Sequence, residues 1–409
     1  MAEFNSVDTL SGFFKVVYSS DLENLIPEGV KLSKMIPFVK PNQRLGAEYR
    51  QPVTLQLEHG VSYGGSAGLA FTLNSAIAGT TQEASVKSCE MVLRGRVAIS
   101  AISRSINDAA SFGRATKHVI KNLMVSSYKK QEQMMFYGQK GLAIVDGVVS
   151  ASTTVPLRVE SFAPGIFAGA EGMRINIKTG TSASDAAADV SIVKVDIKNK
   201  SLELSAAVTL ADGDTIYEFG AYGNECLGLE AMLDGSVAAP FGITSASYSL
   251  WEGNTYSAGS AALSLKKIGI AVADAIGKGL DGKLDAFVNP STWADLIDEQ
   301  NSTLRQVDSS FDVKKFENGS ESIVLHSQNG IIEVHSSTYV KEGIAFLLEL
   351  KSFERVGSSE LTFKLPGTNE DYMIKLQDAH GIEFRTYCDT ALFCNALGHN
   401  IIIQDIVNS

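Results

Sequence analysis

The stretch from Ala47 to Gly138 constrains the fold most, because a long alternating segment and a glycine-rich turn lead into an amphipathic pattern. Apolar and polar side chains alternate from Tyr49 to Glu58, which is the two-residue period of a half-buried β-strand. Pro52 cannot donate a hydrogen bond to a neighbouring strand, so we expect an edge or exposed position. The pattern predicts a β-hairpin arm that extends beyond an ordinary core.

Residues 60–68 form the predicted tip of this arm and contain four glycines. Alternation resumes after the tip and predicts a return strand. A third apolar stretch at residues 86–99 is expected to lead back to the main part of the fold. The alternating apolar residues of the return strand are Leu69, Phe71, Leu73 and Ile77. Because glycine adapts its backbone easily, we expect the tip to fit a partner outside the subunit.

A long helix is predicted from Ile102 to Tyr137, where apolar residues recur at spacings of three and four. At 1.5 Å per residue this helix would be roughly 50 Å long. Lys129 and Lys130 lie in its last turns, Gly138 is the expected left-handed residue at its end, and Gly113 is a candidate interruption. Taken alone, the pattern fits a core helix of a large α/β domain equally well.

Composition excludes several classes of protein. Among 409 residues, 46 are acidic and 35 basic, and the net charge of −11 would repel nucleic acid phosphates. We find no run of roughly 18 apolar residues that would predict a membrane span, and no signal-peptide pattern at the N-terminus. The four cysteines are dispersed, so we expect free thiols in a reducing cytoplasm. They are Cys89, Cys226, Cys388 and Cys394.

The rest of the chain divides by composition. Residues 1–43 have scattered apolar positions broken by prolines, which predicts an extended arm with one short helix. Residues 142–149 predict a short strand. Residues 153–222 are rich in Val, Ile, Thr and Gly and predict a small all-β module, with Asp212 and Gly213 as a hairpin turn.

Helical and strand signals alternate after residue 222. Residues 263–276 predict a helix, and a second helix follows a strand at residues 287–288, with Ser291 as its candidate cap. Asn329 and Gly330 between two apolar runs predict a tight hairpin, which would place His326 opposite Glu333. Residues 384–387 and 401–406 predict further strands.

Three catalytic motifs match by letter and lack the required context. Ser62 lies in a Gly-x-Ser-x-Gly pattern, but the nucleophile elbow needs a helix directly after the serine. Residues 277–282 fit Gly-x-Gly-x-x-Gly, yet the helix precedes and the strand follows, which indicates a helix stop and loop. Residues 126–129 fit Ser-x-x-Lys within a predicted helix. The histidines lack metal-ligand spacing, so we predict no catalytic, cofactor-binding or metal-binding residue.

Five segments stand out in order along the chain: Met134-Met-Phe-Tyr-Gly138, residues 223–230, residues 251–254, residues 288–293 and residues 384–393. Together they resemble segments of tailed-bacteriophage major capsid proteins of the Hong Kong 97 fold. The resemblance covers nearly the whole chain. It rests on the order of these segments, since no single motif among them is specific.

The resemblance implies an α+β fold, the Hong Kong 97-like capsid fold, with an extended β-hairpin loop, a long spine helix, and peripheral and axial domains. The implied divisions are an N-terminal arm (1–43), the extended loop (44–85), a peripheral domain with the spine helix (86–152), a β-rich insertion (153–222), the return of the peripheral domain (223–267), the axial domain (268–382) and C-terminal strands (383–409). The implied inter-subunit contacts at the loop tip are His59, Gly60, Tyr63, Gly64, Gly65 and Gly68.

The implied function is a virion shell of hexamers and pentamers, icosahedral and enclosing double-stranded DNA, assembled in the host bacterial cytoplasm. The implied partners are further copies of the chain, a separate scaffolding protein, a portal protein and a decoration protein. Residues 1–43 are too short for a fused scaffolding region of about a hundred residues, as seen in some members. The tip lacks lysine, and Lys87 lies beyond it, so we expect no covalent cross-link between subunits. The alternatives are an encapsulin-type shell of the same fold, which would load a protein cargo, and a hydrolase that uses Ser62.

Overall fold

The computed structural model describes residues 30–39, 48–99 apart from 67 and 69, 109–304 apart from 181, 323–363 apart from 328 and 329, 373–376 and 380–408. These residues form an α+β fold that contains a two-stranded, a four-stranded and two six-stranded sheets. A short helix, α1 (Leu32–Met35), precedes the first strand, as the sequence predicts. Among the described residues, no helix is both long and apolar enough to cross a membrane.

The arm consists of β1 (Tyr49–Gln56) and β2 (Thr80–Val86), which pair antiparallel as the two-stranded sheet. The predicted alternation in β1 is confirmed, with Leu55 buried and its neighbours exposed. Both strands are edges, and Pro52 accordingly lies in an edge strand opposite Glu83.

The predicted return strand is wrong over residues 70–77, because the ladder restarts only at Thr80, and Leu69 lies outside the described residues. Side-chain hydrogen bonds close the tip instead. The Asn74 amide N–H donates to Ser62 Oγ at 2.6 Å, and Asn74 Nδ2 donates to the Val61 carbonyl at 2.8 Å. Local bonds of this kind compete with ladder pairing, which the apolar alternation alone does not reveal.

The next strand, β3 (Cys89–Ala98), pairs antiparallel with β17 (Gly381–Cys394) and leads toward α2 (Ala109–Tyr137). Helix α2 packs on this sheet: Ser127 and Thr386 share a hydrogen bond of 2.7 Å between their hydroxyl oxygens. The predicted long helix is confirmed from residue 109 onward, and it continues across Gly113. Its predicted first residues, Ile102 and Ile106, lie outside the described residues. The same sheet is completed by β15 (Phe353–Thr362) and β16 (Met373–Lys375).

Gly138 has a different role from the one predicted. Its N–H still donates to the Met134 carbonyl at 2.9 Å, and the left-handed residue is Gln139, with φ of 69°. A Cβ at position 138 would lie 2.1 Å from the Cys226 carbonyl oxygen. Glycine is therefore required there by the close approach of a remote loop.

The inserted module is a six-stranded antiparallel sheet with the order β4-β9-β6-β7-β8-β5. Its strands are β4 (Ala143–Ile144), β5 (Val149–Pro156), β6 (Arg174–Lys178), β7 (Asp185–Asp196), β8 (Ser201–Leu210) and β9 (Thr215–Glu218), and a short helix, α3 (Pro164–Phe167), follows β5. The turn at Gly213 is present, with φ of 88°, but it joins β8 to β9, which are not neighbours in the sheet. The predicted hairpin there is wrong because β9 pairs with β6, and the tight hairpin lies between Asp196 and Ser201.

The C-terminal half builds the second six-stranded sheet, in the order β10-β18-β14-β11-β13-β12. Its strands are β10 (Asn254–Ala261), β11 (Leu284–Val288), β12 (Ile323–Ser327), β13 (Gly330–Ser336), β14 (Ala345–Leu348) and β18 (Ile401–Ile406). The helices of this half are α4 (Leu229–Leu233), α5 (Leu265–Gly277) and α6 (Pro290–Leu304). The predicted α5, α6, β11 and β18 are confirmed. The cap of α6 is Asn289 and not Ser291, because the Ser291 N–H donates to Asn289 Oδ1 at 3.0 Å.

The β12–β13 hairpin has another register than the one predicted. Ser327 pairs with Gly330, so His326 lies opposite Ile331 and Glu333 lies opposite Val324. Gly330 is therefore the first residue of β13 and not part of the turn. A Cβ there would lie 2.2 Å from the Gly282 carbonyl oxygen, so a neighbouring loop explains the glycine.

Candidate inter-subunit surface

The base of the arm is fixed to the body of the subunit. Leu55 and Ala84 are buried, and the Tyr49 ring packs edge-on against Phe393 with centroids 5.2 Å apart. Gln82 Nε2 donates to the Tyr248 hydroxyl at 3.0 Å. These contacts set the direction in which the arm leaves the body.

The outer part of the arm is apolar and exposed. Tyr63 is 87% exposed, Leu73 74% and Leu57 72%, although such side chains gain roughly 1.5–3 kcal/mol on burial. Val61, Phe71 and Ile77 are exposed as well. We call these six side chains the tip patch. A group of exposed apolar side chains on one arm is typical of an interaction site.

The structure brings the predicted contact residues together at this tip. Tyr63 projects outward, whereas Gly64 faces the Phe71 ring, and a Cβ there would lie 2.5 Å from a ring carbon. Gly65 and Gly68 have φ of 67° and 66°, the left-handed region that glycine tolerates. His59 and Gly60 lie where the two sides of the tip meet, and the His59 N–H donates to the Ile77 carbonyl at 3.1 Å. Their contact with a neighbouring subunit stays a prediction.

Of the tip patch, sequence reasoning named only Tyr63 as a contact residue. Phe71, Leu73 and Ile77 were assigned to a strand face that would be half-buried, and Leu57 to the first arm strand. One available signal was the lack of charge: residues 69–79 contain no Lys, Arg, Asp or Glu. A long uncharged segment beside a glycine-rich turn is unusual for a solvated hairpin.

Ser62 is not a nucleophile elbow. Its hydroxyl oxygen accepts the Asn74 N–H, and the described residues between Ser62 and Thr80 contain no helix. The sharp strand-to-helix turn that would present the hydroxyl to a substrate is therefore absent from this part of the described chain.

A buried carboxylate attaches the segment before the arm to helix α2. Glu132 is fully buried, and its oxygens accept the N–H groups of Lys31, Leu32 and Ser33 at 2.8–3.0 Å. Burial raises the pKa of Glu132, while the three hydrogen bonds oppose that shift. Arg355 Nε donates to the Ile36 carbonyl at 2.9 Å, which fixes the end of the same segment.

Three arginines surround one carboxylate where β3 pairs with β17. Glu383 has no exposed surface and accepts hydrogen bonds from Arg94, Arg96 and Arg385. The Arg94 hydrogen bond and then those of the other two arginines lower the pKa of Glu383 to about 2, against the effect of burial. The partly exposed arginines leave this face locally basic in an acidic chain.

One cluster has the donor types of a metal site. Ligand atoms of Asp285, Glu333 and His335 lie within 4.8 Å of one another on β11 and β13. Lys283 Nζ already lies 3.1 Å from Asp285 and 2.8 Å from Glu333, so a resident ammonium balances the carboxylates. Burial raises the pKa of Asp285, but hydrogen bonds from His335 and Lys283 outweigh burial and hold this pKa below its ordinary value. We interpret the cluster as a charge-balanced network between strands.

No protein-family model matches the chain, and no curated protein matches it. Solved structures do match. A chain of the cyanophage A-1(L) capsid asymmetric unit superposes with a TM-score of 0.57 at 12% identity, covering 96% of both chains. A chain from the capsid of a native GTA particle gives a TM-score of 0.51 at 8% identity, covering 99% of this chain and 100% of the other.

A holo-SrpI encapsulin complex from Synechococcus elongatus PCC 7942 matches with a TM-score of 0.43 at 9% identity, covering 98% of this chain and 96% of the other. This weaker similarity does not bear on the choice between shell types. The two stronger matches cover almost the full length of this chain and of the matched chains. The chain therefore has the phage major capsid protein fold.

Proposed function

We propose that this chain is the major capsid protein of a phage head and assembles into hexamers and pentamers of an icosahedral shell around double-stranded DNA. The observation that carries the proposal is the tip patch, an apolar surface held away from the subunit's own core on an arm whose base is fixed. The shell would be a virion component, assembled in the bacterial cytoplasm with a scaffolding protein and a portal protein, and a decoration protein could bind outside.

The surface of the arm supports contact with another copy of the chain. Repeated contact between unlike patches closes into rings and cages, and a long arm adds area toward the roughly 1,600 Å² of a stable interface. Left-handed glycines at positions 65 and 68 keep the tip backbone adaptable, which suits neighbours that are not symmetry-identical. We further propose the division into arm, extended loop, peripheral domain, β insertion and axial domain that the resemblance implies.

The tip patch can be tested by substitution. Tyr63→Ser with Leu73→Ser removes two of its most exposed apolar side chains. Because each contributes roughly 1.5–3 kcal/mol when buried, association should weaken by about tenfold or more per side chain. Assembly with a scaffolding partner is followed by electron microscopy and light scattering. Deletion of residues 60–68 should likewise leave a folded subunit that assembles poorly.

Val148→Ser provides the matched control, because Val148 is 78% exposed but lies in the loop between β4 and β5 and not on the arm. It should assemble like the parent, and all variants should keep the parent's thermal unfolding midpoint. Normal assembly of the Tyr63/Leu73 variant would contradict the role of the tip patch. Parent protein that stays monomeric with every scaffold tested would contradict the shell itself.

The contents of purified shells separate the two shell types. A phage head made during infection should contain nuclease-protected double-stranded DNA, whereas an encapsulin-type compartment should contain a co-purifying protein cargo. Esterase activity that Ser62→Ala abolishes would instead support the hydrolase alternative.

A further inference from the structure

Two cysteines that are distant in sequence meet at the base of the arm. Cys89 is the first residue of β3 and pairs with Thr390 of β17, and Cys226 lies in the loop against the end of α2. Cys226 Sγ donates to the Thr390 carbonyl at 2.9 Å, so both cysteines share one partner residue. The two thiols are therefore neighbours around Thr390, and each shifts the pKa of the other.

The two thiols differ in a way that suits stepwise oxidation. Their mutual hydrogen bond lowers the pKa of Cys89, while the same bond and burial raise the pKa of Cys226. Cys89 is half-buried and Cys226 is buried, so a small reagent meets Cys89 first. Thiolate character and access are the two properties that govern reaction with a disulfide.

We propose that Cys89 and Cys226 form an intrachain disulfide when the protein meets an oxidant of the small-molecule disulfide class. The Cys89 thiolate attacks oxidised glutathione, one S–S bond breaks, and one glutathione thiolate leaves. The Cys226 thiol loses its proton to solvent and displaces the second glutathione, which forms the bond between the two cysteines. The chain is oxidised by two electrons, and glutathione is reduced to two thiols.

The bond would join β3, which follows the arm directly, to the loop that packs on the end of α2. It would close the chain from residue 89 to residue 226, a segment that includes α2 and the insertion sheet. Closing so long a loop restricts the unfolded chain strongly, so the oxidised protein should resist denaturation better than the reduced protein. This inference concerns a single subunit and is independent of the proposed shell.

The test uses the reduced full chain incubated with oxidised glutathione. Thiol titration in denaturant should show that four free thiols become two, and peptide mapping without reductant should show the 89–226 link. The urea midpoint should rise. Cys89→Ser and Cys226→Ser should each abolish the link, while Cys388→Ala, which removes a buried cysteine elsewhere, should retain it.

Three results would overturn the proposal. The first is a stable glutathione adduct on Cys89 without the 89–226 link. The second is a disulfide that involves Cys388 or Cys394, or one that joins two chains. The third is equal formation of the link when oxidation is carried out in urea, because the folded geometry would then contribute nothing.

Discussion

Gly138 shows how one residue can depend on a segment far along the chain. The Cβ of Gly138→Ala would meet the Cys226 carbonyl oxygen at 2.1 Å, so the loop before α4 must move away from the end of α2. We expect a loss of about 1–3 kcal/mol in the free energy of unfolding, the usual range for forced overpacking. Urea unfolding of the variant and the parent measures this difference in free energy.

Gly269→Ala is the matched control, because Gly269 lies inside α5 with open space around its Cα. Alanine there should stabilise the protein by about 0.5–1 kcal/mol through the lower backbone entropy of the unfolded chain. Equal effects of the two substitutions would show that the contact between Gly138 and Cys226 has no energetic importance.

A second residue-scale prediction concerns Glu225, half-buried near the end of α2. Burial raises its pKa from 4.5 to about 7. The folded state therefore holds the proton more tightly than the unfolded state, and stability falls as the pH rises from about 4.5 to about 7. Glu225→Gln should remove this fall, so the variant should be more stable than the parent at pH above 7. Urea unfolding across this range measures it.

Glu383→Gln serves as a control, because its effect on stability should change with pH in the opposite direction. Since the arginines lower the pKa of Glu383 to about 2, its contribution is present above pH 4.5 and is lost as the pH falls toward 2. This variant should therefore be less stable than the parent at neutral pH and approach the parent in acid. Parallel pH profiles for Glu225→Gln and the parent would contradict the assignment to Glu225.

Sequence reasoning located special residues better than it explained them. Gly138 was assigned to the left-handed end of a helix and Gly330 to a turn, because those are common uses of glycine after a helix and after asparagine. Their reasons are the carbonyl oxygens of Cys226 and Gly282, which come close only in the folded chain. The pairing of His326 with Glu333 failed for the same reason, since Gly330 entered the strand and moved the register by two residues.

At the scale of elements, hydrophobic periodicity predicted the strands and helices that pack one face against the core. β1, α5, β11 and β18 follow their hydrophobic patterns closely. The prediction of a return strand in the arm was wrong because the apolar residues there face solvent in the single subunit. Their alternation therefore does not indicate a pairing partner within the chain. The order of strands in the two large sheets also had no sequence signal, since non-consecutive strands pair there.

The contact between α1 and α2 gives a prediction at this scale. Glu132→Gln keeps the size of the side chain but replaces one accepting oxygen with an NH₂ group facing backbone N–H donors. We expect a loss of about 1–3 kcal/mol in unfolding free energy, the cost of unsatisfied buried donors. The amides of Leu32 and Ser33 should also exchange faster in hydrogen-exchange measurements.

Glu171→Gln is the control for this experiment, because Glu171 is exposed on the insertion. It should change neither stability nor amide exchange. Unchanged exchange at Leu32 and Ser33 in Glu132→Gln would show that other contacts hold α1 in place.

At the scale of the whole molecule, net charge and shell formation oppose each other. Each chain carries −11, so subunits repel at low ionic strength, while the tip patch is uncharged. If the proposed shell forms, assembly should be favoured by raising salt to about 0.5 M, where charges are screened beyond a few ångströms. The concentration of subunit at half assembly, measured by light scattering, should fall. A rise would show that ion pairs between subunits dominate the contact.

The position of β18 has a consequence for the order in which the protein is made. β18 lies between β10 and β14, so β10 stays separate from the other four strands of its sheet until residues 401–406 have been synthesised. A ribosome-bound chain that stops before residue 401 would leave the backbone N–H and C=O groups at the facing edges of β10 and β14 without their β18 partners, and we expect proteases to cleave it readily there. The sheet is therefore complete only after β18 has been made, which would delay contacts between unfinished neighbours on the same messenger RNA.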